Sequence, residues 1–335
     1  MIRSFLHEVK SDLYEMSATL PFSDLCRQLN ITDGGTEYLK PRNVGLIFFH
    51  ESPQDFFPGS QIDIVYFPNG VAGKNYLEKI CDGPLDQQIR DALAYIRAIV
   101  IREKVIKRPN QAESQRIYSY PFSALEEALV NAVYHRSYER QEPIEVRIES
   151  DRITILSYPG PDPSIRLDDL RAGRIRARRY RNRRIGGFLK ELGLTEGRAT
   201  GIPTIMTAMQ SNGSPPPVFD ADEGRTYFLV ELLIHPDIQA EDHVEDHVDL
   251  TQTESQILTL LRSEPTSRKQ VADVLGYEGR SGNMLKAIER LMSLGLIEWT
   301  IPDKPRSRNQ KLRITANGQQ LIEHRKTNNV RYRLD

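Results

Sequence analysis

The segment that most restricts the fold is PFSALEEALVNAVYHRSY, residues 121–138, which runs directly into PIEVRIES (143–150) and RITILSY (152–158). Leu125, Leu129, Ala132 and Val133 recur at helical spacing, so the pattern predicts an amphipathic helix over 123–137. The next two segments alternate apolar and polar residues, the period of half-buried strands, and their closeness predicts an adjacent pair. Helices near IGGFLKELG (185–193) and within 195–213 follow, and then a closing strand RTYFLVELLI (225–234). Such mixing predicts an α+β fold with a helix-on-sheet sandwich rather than a strict βαβ repeat. No G-x-G-x-x-G or G-x-x-x-x-G-K-[ST] follows a strand, which disfavours Rossmann and P-loop folds.

A chain of 335 residues is expected to hold two or three domains. Residues 1–110 read as an N-terminal α/β region: an opening helix, strands VGLIFF (44–49) and QIDIVYF (61–67), and a long helix over 84–105 striped by Ile89, Leu93, Ile96 and Val100. Residues 111–236 form the α/β sandwich, 237–250 an acidic linker, 251–325 a three-helix segment with two strands, and 326–335 a basic tail. The linker repeats EDHVEDHV; its His, Asp and Glu residues lack a helical H-x-x-x-H scaffold or a sulfur ligand, so solvation explains them better than metal binding. No apolar run approaches the ~20 residues of a membrane span. Two cysteines, Cys26 and Cys81, are too few for a disulfide framework, so core positions and a reduced, cytoplasmic setting are expected.

The net charge of −1 conceals segregation. Between Arg171 and Arg184 stand eight arginines in fourteen residues without an acid. Three readings stay open for them: a solvated face, a lid whose guanidinium groups meet phosphates, or contact with a nucleic-acid backbone.

Within residues 121–138, Ser123 and Glu126 read as a capping box. Glu127, Asn131 and His135 then follow at i, i+4 and i+8 on a face apart from the apolar stripe. Spacing alone leaves two readings. One is a solvated face. The other is a working set in which Asn ligates a hard cation, Glu polarises water and His reaches a phosphate.

A resemblance enters with EALVNAVYHR, which resembles the N box of the GHKL ATPase superfamily. More closely, residues 85–235 are similar to the GHKL-like module of transcriptional regulators once described as RecG-related helicases, which usually carry a Schlafen AlbA-type domain in front. That upstream domain is expected to be absent here. The resemblance implies ATP and Mg2+ as cofactors, with Asn131 ligating the nucleotide-bound magnesium and Glu127 as general base. It extends the cofactor-binding set to His135, Ser157, Gly160, Arg181, Asn182, Thr200 and Gly201. Three departures stand out. The turn that carries an adenine-reading Asp in the superfamily is SYPGP here, the usual Gly-Thr-Gly box is RATG, and the family's RNP before that box is RNR at Arg181, Asn182 and Arg183. The second departure counts against fast hydrolysis more than against binding.

The C-terminal segment predicts helices over 251–263, 267–276 and 281–295, with Ile257, Leu260, Leu261, Leu285, Ile288, Leu291 and Met292 inward. Two strands follow, LIEWT and QKLRIT. The whole resembles a MarR-like winged helix. The third helix would offer Arg280, Ser281, Asn283, Lys286 and Arg290 to a major groove, and the wing would bring Lys304, Arg306, Arg308 and Lys311 to phosphates. A winged helix used for protein contact is the bland alternative.

The reading that results is an ATP-binding, DNA-binding regulator, acting in transcriptional control or mobile-element and phage defence. Double-stranded DNA is the expected partner, and a homodimer the expected state. An ATPase acting on DNA or a protein partner is one alternative, and an interaction module with a degenerate nucleotide site is another.

Overall fold

The computed structural model describes residues 1–35, 37–68, 70–71, 76–106, 114–175, 181–195, 201–238, 250–276, 282–301, 307, 310–315, 318–319 and 321–322, apart from the Ser293 side chain. The chain is α+β and separates into two compact units. One comprises Met1–Tyr76, Ile80–Leu93 and Ile101–Ala240, and the other Leu77–Lys79, Ala94–Val100 and Glu241–Asp335. Among the described residues, no helix is long and apolar enough to cross a membrane.

Short helices open the chain: α1 (Ile2–Glu8), α2 (Leu13–Met16) and α3 (Phe22–Gln28). A small antiparallel ladder of β1 (Thr32–Asp33) and β2 (Lys40–Pro41) leads to α4 (Asn43–Phe49). This α4 corrects the expected strand VGLIFF. Val44, Ile47 and Phe48 are buried at i, i+3 and i+4, and Gly45 lets the helix approach the Ile31 carbonyl, so tertiary packing overrides β-branched and aromatic propensity. Then come β3 (Ile62–Tyr66), β4 (Leu77–Cys81) and α5 (Leu85–Val100). The stripe Ile89, Leu93, Ile96 and Val100 is buried as expected. The helix stops short of the expected residue 105, because β5 (Glu103–Ile106) pairs instead with β6 (Gln115–Tyr118).

Next follow α6 (Phe122–His135), β7 (Ile144–Ile148), β8 (Arg152–Ser157), α7 (Leu167–Arg171), α8 (Arg183–Glu191), α9 (Gly201–Asn212), β9 (Val218–Asp220) and β10 (Phe228–Leu233). Six strands form one mixed sheet in the order β4-β3-β7-β8-β10-β9. β3 and β7 run parallel, and β7, β8, β10 and β9 are successively antiparallel. Register aligns the pleat: Ile64 faces Val146, Val146 faces Ile155, and Ile155 faces Val230. These residues share one buried face, so a one-residue slip would turn the whole core row outward. The expected pair at 143–158 is present, and its strands share this sheet with β3 from the N-terminal region. Cys26 and Cys81 are both free and buried.

The expected capping box at Ser123 is absent. Pro121 is the N-cap, α6 begins at Phe122, and no side chain caps it. Proline at the cap lacks the N–H a carboxylate would bond, and starting one residue earlier moves Ser123 inside the first turn. Glu126 stands half-buried, and burial raises its carboxyl pKa.

The C-terminal unit holds α10 (Gln252–Leu261), α11 (Arg268–Val274), α12 (Gly282–Ser293) and the antiparallel pair β11 (Ile297–Trp299) and β12 (Leu312–Ile314). Here capping boxes do occur, at Thr251 with Glu254 and at Ser267 with Gln270. The first is reinforced by Arg290 Nη1, which donates to the buried Glu254 carboxylate at 2.6 Å. The expected stripes are half right. Ile257, Leu261, Ile288 and Leu291 are buried, but Leu258, Met284 and Ala287 complete the rows in place of Leu260, Leu285 and Met292.

Candidate functional site

Glu127 and Asn131 stand one turn apart on α6, and Asn131 Nδ2 donates to Glu127 Oε1 at 3.2 Å. Both are half-buried. Opposite them lies Gly201, the first residue of α9. A Cβ built on Gly201 would stand 2.7 Å from Glu127 Oε1, 3.0 Å from Asn131 Oδ1 and nearer still to Asn131 Nδ2. Only a glycine lets the start of α9 come this close to the polar face of α6.

The first turn of a helix has N–H groups without intrahelical partners, and their aligned dipoles favour an anion. Pro203 contributes no N–H to that turn of α9 and is tolerated there for that reason. A carboxylate, a carboxamide and a helix N-terminus therefore converge at one place. Chemically, the set offers an oxygen ligand for a hard cation, an anion-favouring helix end and a base for water.

His135, one turn further along α6, is held neutral: burial first, and then the Arg181 guanidinium, lower its pKa to about 4. Its ring stacks on Tyr134, with centroids 5.0 Å apart. It is thus an uncharged neighbour of the site at neutral pH, where the sequence pattern suggested a phosphate contact. In the unfolded chain this imidazole takes a proton near pH 6.5, whereas in the folded protein it does so only near pH 4. Stability from this group is therefore present above pH 6.5 and is lost as pH falls toward 4. Between pH 7 and pH 5, chemical denaturation should show wild type losing about 1–2 kcal/mol more than His135→Gln.

Asn182 is engaged at the end of α6. Its Nδ2 donates to the Tyr134 and Arg136 carbonyls at 2.9 and 2.7 Å, and so satisfies the C-terminal end of α6. Helix α8, which Asn182 precedes, is fixed in turn. Gly186 lies so close to the Tyr134 ring that a Cβ would overlap it. Phe188 packs among Phe5, Phe48 and Phe49. Arg184 Nη2 donates to the Leu29 and Asn30 carbonyls at 3.2 and 3.1 Å, at the end of α3. Asn182 is thus a fixture that sets where α6 ends.

Ser157 and Gly160 serve the turn after β8. Ser157 is buried opposite Phe228 in the ladder. Gly160 N donates to the Arg225 carbonyl at 2.8 Å, and a Cβ on it would stand 2.6 Å from the Tyr227 carbonyl. The Arg225 guanidinium in turn donates to the Asp162 and Ile165 carbonyls at 3.1 and 2.6 Å. The Gly160 amide and the Arg225 guanidinium are thus engaged in the turn itself.

In the arginine run, Arg171 pairs with Asp220, Arg174 with Asp169, and Arg181 is exposed. Thr200, Arg176, Arg178 and Arg179 lie outside the described residues, as do Arg280, Ser281, Lys304, Arg306, Arg308, linker residues 239–249 and residues 323–335, which include the tail at 326–335. Asn283 and Lys286 are exposed on α12, and Lys311 is exposed before β12. Arg290 is engaged by Glu254, which removes it from the groove-reading set.

Sequence reasoning missed Arg136. It is 2% exposed, and its guanidinium donates to the Gly59 and Glu142 carbonyls at 2.8 and 2.9 Å while lying over the Tyr138 ring. Following directly on α6, it fastens the end of the site helix to the segments that lead into β3 and β7.

Residues 141–232, which hold β7 to β10, match the family model described as "Putative ATP-dependent DNA helicase recG C-terminal". An ATPase-like module occupies this part of the chain. Residues 252–315 match the model described as "Filamentation induced by cAMP protein Fic-like, C-terminal domain", so this segment is similar to a Fic-like rather than a MarR-like domain. No curated protein matches. A crystal structure of the DIP2311 protein from Corynebacterium diphtheriae is similar over 96% of this chain, with a TM-score of 0.52 and 17% identity. At that identity the likeness concerns the fold alone, and this chain spans 62% of that protein's length.

Proposed function

We propose that the first unit binds ATP with Mg2+ and that the C-terminal unit reads double-stranded DNA, so that the nucleotide sets the DNA-binding state of a regulator. The observation that carries this reading is the approach of Gly201, at the head of α9, to Glu127 and Asn131. The residues suit a magnesium-bound triphosphate. Asn131 commits its Nδ2 to Glu127, which leaves Oδ1 as its cation-ligating atom. The α9 terminus suits a phosphate. The bound cation would supply charge neutralisation between carboxylate and phosphates. Glu127 would orient and deprotonate water, as slow turnover requires.

The DNA reading draws on the order of elements in the second unit. Three helices followed by an antiparallel pair are the parts of a winged helix, and α12 presents Asn283 and Lys286 at groove-facing spacing. A homodimer on paired half-sites follows from that mode of reading.

Gel shifts with duplex DNA, with and without a non-hydrolysable ATP analogue and Mg2+, test the coupling. The nucleotude-bound and nucleotide-free forms are expected to differ about fivefold or more in DNA affinity. Equal affinities would remove the coupling. Glu127→Ala should abolish phosphate release while wild type turns over slowly; a wild type without turnover would leave a binding switch and no enzyme.

A further inference from the structure

On helix α8, Ile185, Gly186, Phe188 and Leu189 are buried, while Arg183, Arg184, Gly187, Lys190 and Glu191 are exposed. At about 3.6 residues per turn, the exposed five form one continuous stripe with Gly187 at its middle. Packing accounts for Gly186, whose Cβ would strike Tyr134, but not for Gly187, where a Cβ meets nothing within 4 Å. Glycine weakens a helix interior, and its use there is to let another molecule come close to the backbone. The charge around it is mostly of one sign. Arg183 and Lys190 flank Gly187 one turn to either side, Arg184 lies beside them, and the exposed Arg181 precedes the helix; Glu191 is the single acid of the stripe. Among the described residues, no ion pair engages Arg183 or Lys190. No large apolar side chain is exposed on α8. The stripe therefore lacks the aromatic and aliphatic anchors of a protein interface and the apolar face of a membrane-binding helix. Arginine forks and a lysine around a bare stretch of helix suit phosphates.

We propose that the outer face of α8 is a contact for the phosphate backbone of duplex DNA. Gly187 is the point of closest approach, and Arg183 and Lys190 meet the flanking phosphates. This surface shares the DNA partner of the reading above, but it lies on the first unit and uses neither the nucleotide site nor the C-terminal reader. Contacts of this kind add affinity and position without reading sequence.

The test is fluorescence anisotropy of a labelled duplex of mixed sequence, titrated with the full chain between about 50 and about 200 mM salt. Four proteins are compared: wild type, Arg183→Gln with Lys190→Gln, Gly187→Gln, and Asn283→Ala with Lys286→Ala. Arg184 is left intact because its guanidinium is held by the Leu29 and Asn30 carbonyls. The charge-neutralised α8 variant is expected to bind at least about tenfold more weakly, with a log–log salt slope shallower by about 2. Gly187→Gln should bind at least about threefold more weakly although its melting temperature holds or rises, since glycine is the poorer helix former. A structural role for Gly187 would not separate affinity from stability in this way. Wild-type affinity and salt slope in the neutralised variant, or wild-type affinity in Gly187→Gln, would overturn the α8 contact. Binding of poly-L-glutamate as tight as that of duplex would also overturn it, in favour of an acidic protein partner. If the α8 variants weaken and the α12 variant does not, the α8 contact stands and the C-terminal reading falls; the converse leaves that reading and removes the α8 contact. If wild type binds no duplex, the two fall together.

Discussion

With alanine at position 201, MgATP binding is expected to fall by at least about a hundredfold while the fold stands. The added methyl would overlap the Asn131 amide and press on the Glu127 carboxylate. Both are the far ends of flexible side chains, so they swing aside at little cost to stability. Alanine also favours the helix over glycine by roughly 1 kcal/mol, which offsets the displacement. The melting temperature should therefore hold or rise slightly. Binding is a different matter, because the two displaced groups are the ones assigned to the cation and the water, and misplacing them by an ångström is costly. Calorimetry beside a thermal melt separates these effects. Wild-type affinity in Gly201→Ala would mean that the approach of α9 to α6 has nothing to do with nucleotide.

Replacing Arg136 should do the opposite, breaking the fold without touching the chemistry. Its guanidinium is buried and serves the Gly59 and Glu142 carbonyls, with a longer contact of 3.5 Å to Gln61. Arg136→Met keeps the bulk but leaves those acceptors without a charged donor, at a cost of about 3–5 kcal/mol. Against a typical total of roughly 5–15 kcal/mol, that is a large loss. Arg147, whose pair with Glu145 is exposed, provides the contrast: Arg147→Ala should change urea stability by less than about 0.5 kcal/mol. Similar losses in the two variants would contradict the anchoring role of Arg136.

These two positions also show what the sequence made legible. The α6 stripe and strands β7, β8 and β10 were readable because burial imposes periods of 3.6 and 2 directly on residue order. The apolar run at 44–49 was ambiguous, since so short a run fits either element, and the close approach of Gly45 to Ile31 decided for helix. The start of α6 was misplaced because S-x-x-E is a local signal, and Pro121 overrides it from the preceding position. In α12 Ile288 and Leu291 were placed inward correctly, but the edge of the stripe falls on Met284 and Ala287 rather than Leu285 and Met292, a small angular error in a helix with apolar residues on adjoining faces.

The site was legible in part. Glu127 and Asn131 stood out by spacing on one face, and Gly201 by a partial glycine box, but only folding brings 127, 131 and 201 together. Arg136 could not be found by pattern, and Asn182 was singled out by a motif position without its part at the end of α6 being readable. A buried arginine and an asparagine that caps another helix look like any polar surface residue until their carbonyl partners, 6 to 77 residues away, are in place. Ser157 and Gly160 carried a motif position, yet Ser157 lies in the β8–β10 ladder and the Gly160 amide closes a turn onto Arg225.

The most direct measurement is a calorimetric titration of wild type and Asn131→Ala with ATP in Mg2+. Saturable binding by wild type, at least about tenfold weaker in Asn131→Ala with an unchanged melting temperature, is the predicted result. Equal heats in the two proteins, or none in wild type, would contradict it.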